Sequence, residues 1–247
     1  MRLGIIQAGK VDPALVSKHG EYPPMFQEYL RPAGPELEFR SYGTVDGELP
    51  ESPHECDAWL ITGSKFGTYD DQPWIPELRS FLREVRKAGL PMIGICFGHQ
   101  ILAEALGGRS AKSGKGWGVG VHGYTVHKKP EWMRDAPAEI SFHAFHQDQV
   151  YEVPDDAHVL ASSPFCEYAM LAYGDPDMPD AVSIQPHPEF GTEYARDLVA
   201  LRAQQNIIPA DVGDPALASF GTPVHGKGFA EWCLAYLRSN LRKKSAA

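Results

Sequence analysis

The chain has 247 residues, 43% of them hydrophobic, and a net charge of −9 from 32 acidic and 23 basic residues. One sizeable core fits this length, and the acidic balance offers no footprint for nucleic acid or an anionic membrane. No stretch approaches the ~18 apolar residues of a membrane span, and the first residues hold only a short apolar run, too short for a signal peptide. Cys56, Cys96, Cys166 and Cys233 are too scattered for a CxxC site or a disulfide scaffold. A reducing, cytoplasmic setting is the expectation.

In chain order, "RLGIIQA" (2–8) reads as a buried strand and "PPMFQEYLRP" (23–32) as a helix bounded by prolines. "ELEFRSY" (36–42) alternates like a strand, and "CDAWLITG" (56–63) is a buried strand ended by glycine. Residues 70–89 open with aspartates and a proline, repeat apolar residues at helical spacing and close on Gly89, which predicts a helix. "LPMIGIC" (90–96) is the next strand, and "FGHQILAEALGG" (97–108) is a helix stopped by two glycines. Strands alternating with helices, with continuous apolar runs in the strands, predict an α/β fold. Its sheet should be open and mostly parallel (flavodoxin-like), with helices on both faces.

The middle of the chain changes character. "GVGVHGYTVH", "AEISFHAFHQDQV", "HVLASS" and "EYAMLAY" are short strand-like pieces that predict a small antiparallel extension. "AVSIQPHPEF" (181–190) is one more apolar strand running into prolines. After it come a helix near 192–205, a Pro/Gly-rich link "IIPADVGDP", and a last amphipathic helix ending in the basic run "RSNLRKK", which reads as a solvated tail.

"GICFG" isolates one thiol between two glycines. It has the shape of a nucleophile elbow, G-x-Nu-x-G, in which the tight strand-to-helix turn requires small residues two before and two after the nucleophile. Cys96 would then stand at a helix N-terminus, where amides and dipole favour the reactive thiolate, and the Phe97 amide would face an oxyanion. The competing reading is a buried structural cysteine. A thiolate nucleophile needs a base. In "QPHPEF" the prolines keep the chain extended, so His187 and Glu189, two apart, share a face just beyond a strand. A carboxylate there would set the imidazole tautomer and stabilise its protonated form.

Other motifs carry less. "HAFHQDQV" offers His143, His146 and Asp148, but no further ligand stands at suitable spacing, so no metal is expected. "LITGSKFG" is a strand followed by a glycine turn without the G-K-[ST] ending of a P-loop, and no G-x-G-x-x-G follows the first strand. No cofactor is implied.

"GICFGHQ" followed by "QPHPEF", with Cys96 and His187 91 positions apart, resembles the class I (triad-type) glutamine amidotransferases, whose hallmarks are G-x-C-x-G-[HQ]-Q and a late H-P-E. The likeness is greatest to the small stand-alone branch similar to the amidotransferase domain of GMP synthase. It covers about residues 1–205, leaving residues 206–247 as a helical extension packed on the same domain.

The resemblance implies Cys96 as nucleophile, His187 as base and Glu189 as its orienting residue. It further implies Phe97, Gly63 and Ser64 as oxyanion-hole backbone, and Gln100 and His146 as substrate-binding residues. The turn departs from the family's usual G-G-P or N-G-P, reading "TGSKF" with Ser64 where glycine is common.

The implied reaction is hydrolysis of a γ-glutamyl amide through a thioester, releasing glutamate and ammonia. If the chain serves a synthetase, the subunit holding the acceptor site is a separate protein. A γ-glutamyl peptidase acting on peptides or amines is the nearest rival. A non-catalytic regulatory or binding subunit would leave Cys, His and Glu together unexplained, and a redox-sensor cysteine would leave His-Pro-Glu unexplained.

Overall fold

Alternate residues of the central strands go to opposite sides of one sheet. In β1 (Arg2–Ile6), Leu3 and Ile5 enter one hydrophobic cluster and Ile6 another. In β3 (Ala58–Ile61), Leu60 joins the first cluster while Trp59 and Ile61 join the second. In β4 (Met92–Ile95), Ile93 and Ile95 oppose Met92 in the same way. Both faces are therefore covered, which is why these strands are apolar throughout.

A computed structural model describes residues 1–246, with side chains through residue 241. With β2 (Glu38–Tyr42), β6 (Gly118–Val126), β7 (Glu139–His146), β9 (Ala157–Ser162), β10 (Met170–Tyr173) and β11 (Ala181–Ile184), the main sheet has the order β2-β1-β3-β4-β11-β10-β9-β6-β7. The first five strands in that order pair in parallel. The last four extend the sheet by antiparallel pairing. A separate ribbon joins β5 (Arg109–Lys112) to β8 (Asp148–Glu152).

Phe26 and Leu30 of α2 (Tyr22–Leu30), with Phe229, Leu234 and Leu237 of α7 (Gly226–Ala246), cover one face. Leu78 and Leu82 of α3 (Trp74–Lys87) and Ile101 and Leu102 of α4 (Phe97–Ala105) cover the other. Although α7 lies late in the chain, it is fastened to the centre of the sheet. The Tyr236 hydroxyl accepts the Met92 amide at 3.1 Å and faces the carbonyls of Met92 and Asp180 at 3.2 and 3.0 Å. Arg238, in the basic run, is paired with Glu36 at 2.6 Å. The side chains of residues 242–244 lie outside those described.

A third cluster gathers α1 (Pro13–His19), α5 (Thr192–Gln204) and α6 (Ala210–Ser219) around Leu15, Phe190, Leu198 and Ala216. α1 is short, and its Asp12 cap is its clearest local signal, the side chain accepting from the Ala14 amide at 3.0 Å. α6 corrects the sequence reading, which made residues 207–215 a link. Pro215 inside the helix removes a backbone donor and costs about 3 kcal/mol in isolation. Tertiary packing offsets this: Gly213 and Ala216 are buried, and the Ser219 hydroxyl accepts the Val121 amide at 2.8 Å. Among the described residues no helix is long and apolar enough to cross a membrane.

Candidate active site

Three neighbouring parallel strands end side by side. β3 runs into Gly63 and Ser64, β4 into Cys96, and β11 into Gln185 and His187, in the order β3-β4-β11. The carboxyl ends of strands are where open α/β sheets carry their sites.

Cys96 sits between β4 and α4 with φ 53° and ψ −102°. A positive φ is strained for a residue bearing a Cβ, and such strain persists only where the surroundings over-determine it. Here the Cys96 amide donates to the Ile184 carbonyl at 2.9 Å and its carbonyl accepts the Gln100 amide at 3.1 Å. The flanking glycines make the turn sterically feasible. A Cβ on Gly98 would lie 2.3 Å from the Ile61 carbonyl oxygen, and one on Gly94 would lie 2.5 Å from the Gly98 oxygen. Both obstacles are backbone and cannot swing away. Gly98→Ala is therefore expected to destabilise the fold by about 1–3 kcal/mol and to depress activity by moving α4 off β3. Chemical denaturation checks the first effect and turnover the second.

The expected extended stretch is interrupted: a bend at 185–186 leads into an isolated bridge at His187, whose amide donates to the His143 carbonyl of β7 at 2.8 Å, and a turn follows at 188–189. The antiparallel extension thus braces the histidine. Its Nδ1 lies 2.8 Å from Glu189 Oε1. A carboxylate only accepts, so Nδ1 carries the hydrogen. Burial opposes charge on the imidazole, but the Glu189 carboxylate and the Cys96 sulfur overcome it and raise its pKa to about 10. Phe190 stacks on the ring with centroids 3.9 Å apart, fixing its plane. Glu189 Oε2 is buried without a hydrogen-bond partner among the described residues, so His187 is the group that compensates its charge.

Gly63 closes against both residues: a Cβ there would meet His187 Cε1 at 2.8 Å and Cys96 Cβ at 3.6 Å. Phe97 supplies the first amide of α4 while its ring is buried in the core. Cys96 and His187 open onto a cavity of about 430 Å³, within the range of small-molecule sites. Ser64, Gln100 and His146 also line it.

The glutamine amidotransferase class-I family model matches residues 24–201. The chain belongs to the class-I glutamine amidotransferase family. It is 31% identical over 188 residues to gamma-glutamyl peptidase 4 of Arabidopsis thaliana, covering 73% of this chain and 72% of that protein. It is 28% identical over 193 residues to a glutamine-hydrolyzing GMP synthase subunit from Archaeoglobus fulgidus, covering 76% of this chain and 96% of that protein. A solved glutamine amidotransferase from Thermotoga maritima superposes with a TM-score of 0.73 at 21% identity, over 98% of this chain and 97% of that one.

Within this member of the family, Gln100 donates from Nε2 to the Asp148 carbonyl at 3.0 Å and to Gln185 Oε1 at 3.2 Å. His146 donates from Nδ1 to the same Asp148 carbonyl at 3.1 Å. Burial pushes its pKa down to about 3, so the ring is neutral and Nε2 carries a lone pair. His143 uses Nδ1 on the Phe190 carbonyl at 3.0 Å instead. The H-x-x-H pair thus serves two separate carbonyls. Among the described residues no three His, Cys, Asp or Glu side chains form a potential metal group. Ser64, the departure in the turn, accepts the Phe66 amide at 3.1 Å through its hydroxyl. His99, inside the cysteine motif, bonds Ser183 of β11 at 2.7 Å, tying α4 to the histidine-bearing strand.

Sequence reasoning missed Gln185. Its Nε2 lies 3.7 Å from Cys96 Sγ, linking the thiol to Gln100. The signal was its place: Gln185 directly follows β11, two residues before His187. Tyr69, Asp70 and Lys112, which supply polar groups to the cavity, had no local signal, and Asp148 drew notice only as a possible metal ligand: loop and ribbon bring them together.

Proposed function

We propose that this amidotransferase hydrolyses γ-glutamyl amides through Cys96, His187 and Glu189. The observation that carries the proposal is the buried His187–Glu189 pair, 2.8 Å apart, brought with Cys96 against Gly63 and into one cavity at the strand ends. The Cys96 thiolate attacks the γ-carbonyl, with the developing oxyanion facing the amides of Phe97 and of the Gly63–Ser64 turn. The C–N bond breaks as His187 passes its proton to the departing nitrogen. A water, giving a proton to His187, then adds to the thioester. The S–C bond breaks, glutamate leaves and the thiolate returns.

The γ-glutamyl head would occupy the polar wall. Its α-ammonium meets the carboxylates of Asp148 and Asp70, and its α-carboxylate meets Lys112, while Gln100 and His146 hold the segment bearing Asp148. In the same proposal residues 1–205 form the amidotransferase unit and residues 206–247 a helical extension of it. Glutamate release from glutamine and from γ-glutamyl amides, with and without ATP, tests the reaction. ATP-independent release supports a self-sufficient hydrolase. No release from any of these substrates would overturn it.

A further inference from the structure

The cavity has two unlike walls. Asp70 and the β5–β8 ribbon residues Lys112 and Asp148 give it charge. Tyr22, Phe190, Tyr194 and Leu198 also line the cavity, all belonging to or packed against the third hydrophobic cluster. His187 stands at that second wall, its ring stacked on Phe190, which meets Tyr194 edge-on at 4.6 Å. The group that protonates the leaving nitrogen therefore directs it toward the apolar side.

Core packing alone does not account for this wall, because it continues to the surface. Ile207 is 43% exposed and lines the same cavity. The ion pair at this end, Arg202 with Asp12 at 2.9 Å, neutralises itself and calls for no charged partner. Tyr22, Asp12, Arg202 and Ile207 all lie outside residues 24–201, the part matched by the family model. The rim of this end is thus completed by segments beyond the matched part, around Phe190, Tyr194 and Leu198 within it.

We infer that the leaving half of the substrate is an aromatic or branched apolar amine, held against Tyr22, Phe190, Tyr194, Leu198 and Ile207. Ammonia would gain nothing from such a wall, whereas an apolar body leaves water on binding it. The inference rests on the γ-glutamyl amide hydrolase proposed above.

The test compares kcat/KM for glutamine, γ-glutamylglycine, γ-glutamyl-diaminobutane, γ-glutamyl-isobutylamide and γ-glutamyl-phenethylamide. The last two should exceed each of the others by about tenfold or more, the scale of an apolar group entering a matching pocket. Leu198→Asp should lower the ratio of phenethylamide to glutamine turnover by about tenfold. Leu198 is buried, so Ile207→Asp, at an exposed position, provides a second reading in a chain whose core is intact; the ratio should fall there too. A preference for glutamine or for the charged amines overturns the inference while leaving the hydrolase reading standing. An aromatic preference that survives both substitutions overturns the assignment of the wall. Absence of glutamate release from every substrate removes the hydrolase reading and this inference together.

Discussion

Cys96→Ala is expected to lower kcat/KM for glutamate release by roughly 10⁴-fold or more, the scale seen when a nucleophile is removed from a catalytic triad, with the fold retained. The backbone reason for retention is that alanine keeps the Cβ and accepts the same turn, whose hydrogen bonds to Ile184 and Gln100 use only main-chain atoms. A chloroketone analogue of glutamine should alkylate Cys96 alone. Burial raises the thiol of Cys56, pushes that of Cys166 up to about 12 and raises that of Cys233 strongly, so these three hold their protons more tightly than an ordinary thiol. None of them stands beside an imidazole like that of His187. Peptide mass mapping decides the matter. Loss of activity with the label on Cys56, Cys166 or Cys233 would remove Cys96 from the nucleophile's role.

The second large effect separates His187 from Glu189. His187→Ala should cost about 10³-fold or more, since the departing nitrogen loses its proton source, while Glu189→Gln should cost less because the imidazole remains. The more telling result is the pH profile. In the folded chain His187 keeps its proton to about pH 10, against an ordinary value of 6.5. Glu189→Gln removes the strongest of the partners that raise it, so the alkaline limb of kcat/KM should move toward neutrality.

Stability has a corresponding sign. A raised imidazole stabilises the fold fully below the unfolded value of 6.5, and the contribution fades as pH rises through about 10. The destabilisation caused by Glu189→Gln should therefore be larger near pH 6 than near pH 10, as measured by denaturant titration at both. A limb that stays in place, or an effect that grows with pH, would show that Glu189 does not act through His187.

Much of this chain could be read locally. The apolar strands at 2–6, 58–61, 92–95 and 181–184 announced a sheet covered on both sides, because only strands buried on both faces lack alternation. "GICFG" announced a turn that admits no side chain two residues to either side of Cys96, and the clash distances at Gly94 and Gly98 give the reason. "QPHPEF" put His187 and Glu189 within reach of one another, and they meet at 2.8 Å, but through a turn at 188–189 rather than along an extended segment. The link at 207–215 misled because Pro and Gly weigh heavily in any local reading, and the packing of Ala216 and Ser219 against β6 is not local.

What the amino-acid sequence determined by itself was local equipment: a thiol on a strained turn, an imidazole with a carboxylate near it, and most of the strands and helices that carry them. What only the tertiary structure decided was the company those groups keep. Cys96 and His187 meet because β4 and β11 pair in parallel, bringing Met92 beside Ala181 and Ile95 beside Ile184 from opposite ends of a long excursion of the chain. The polar wall arises where the loop after β3 faces the β5–β8 ribbon, and the apolar wall where the N-terminal segment meets α5. Short-range steric and hydrogen-bonding rules act within a few residues and leave their mark on local spacing. The shape of a cavity depends on contacts between distant segments, for which no local spacing carries a record.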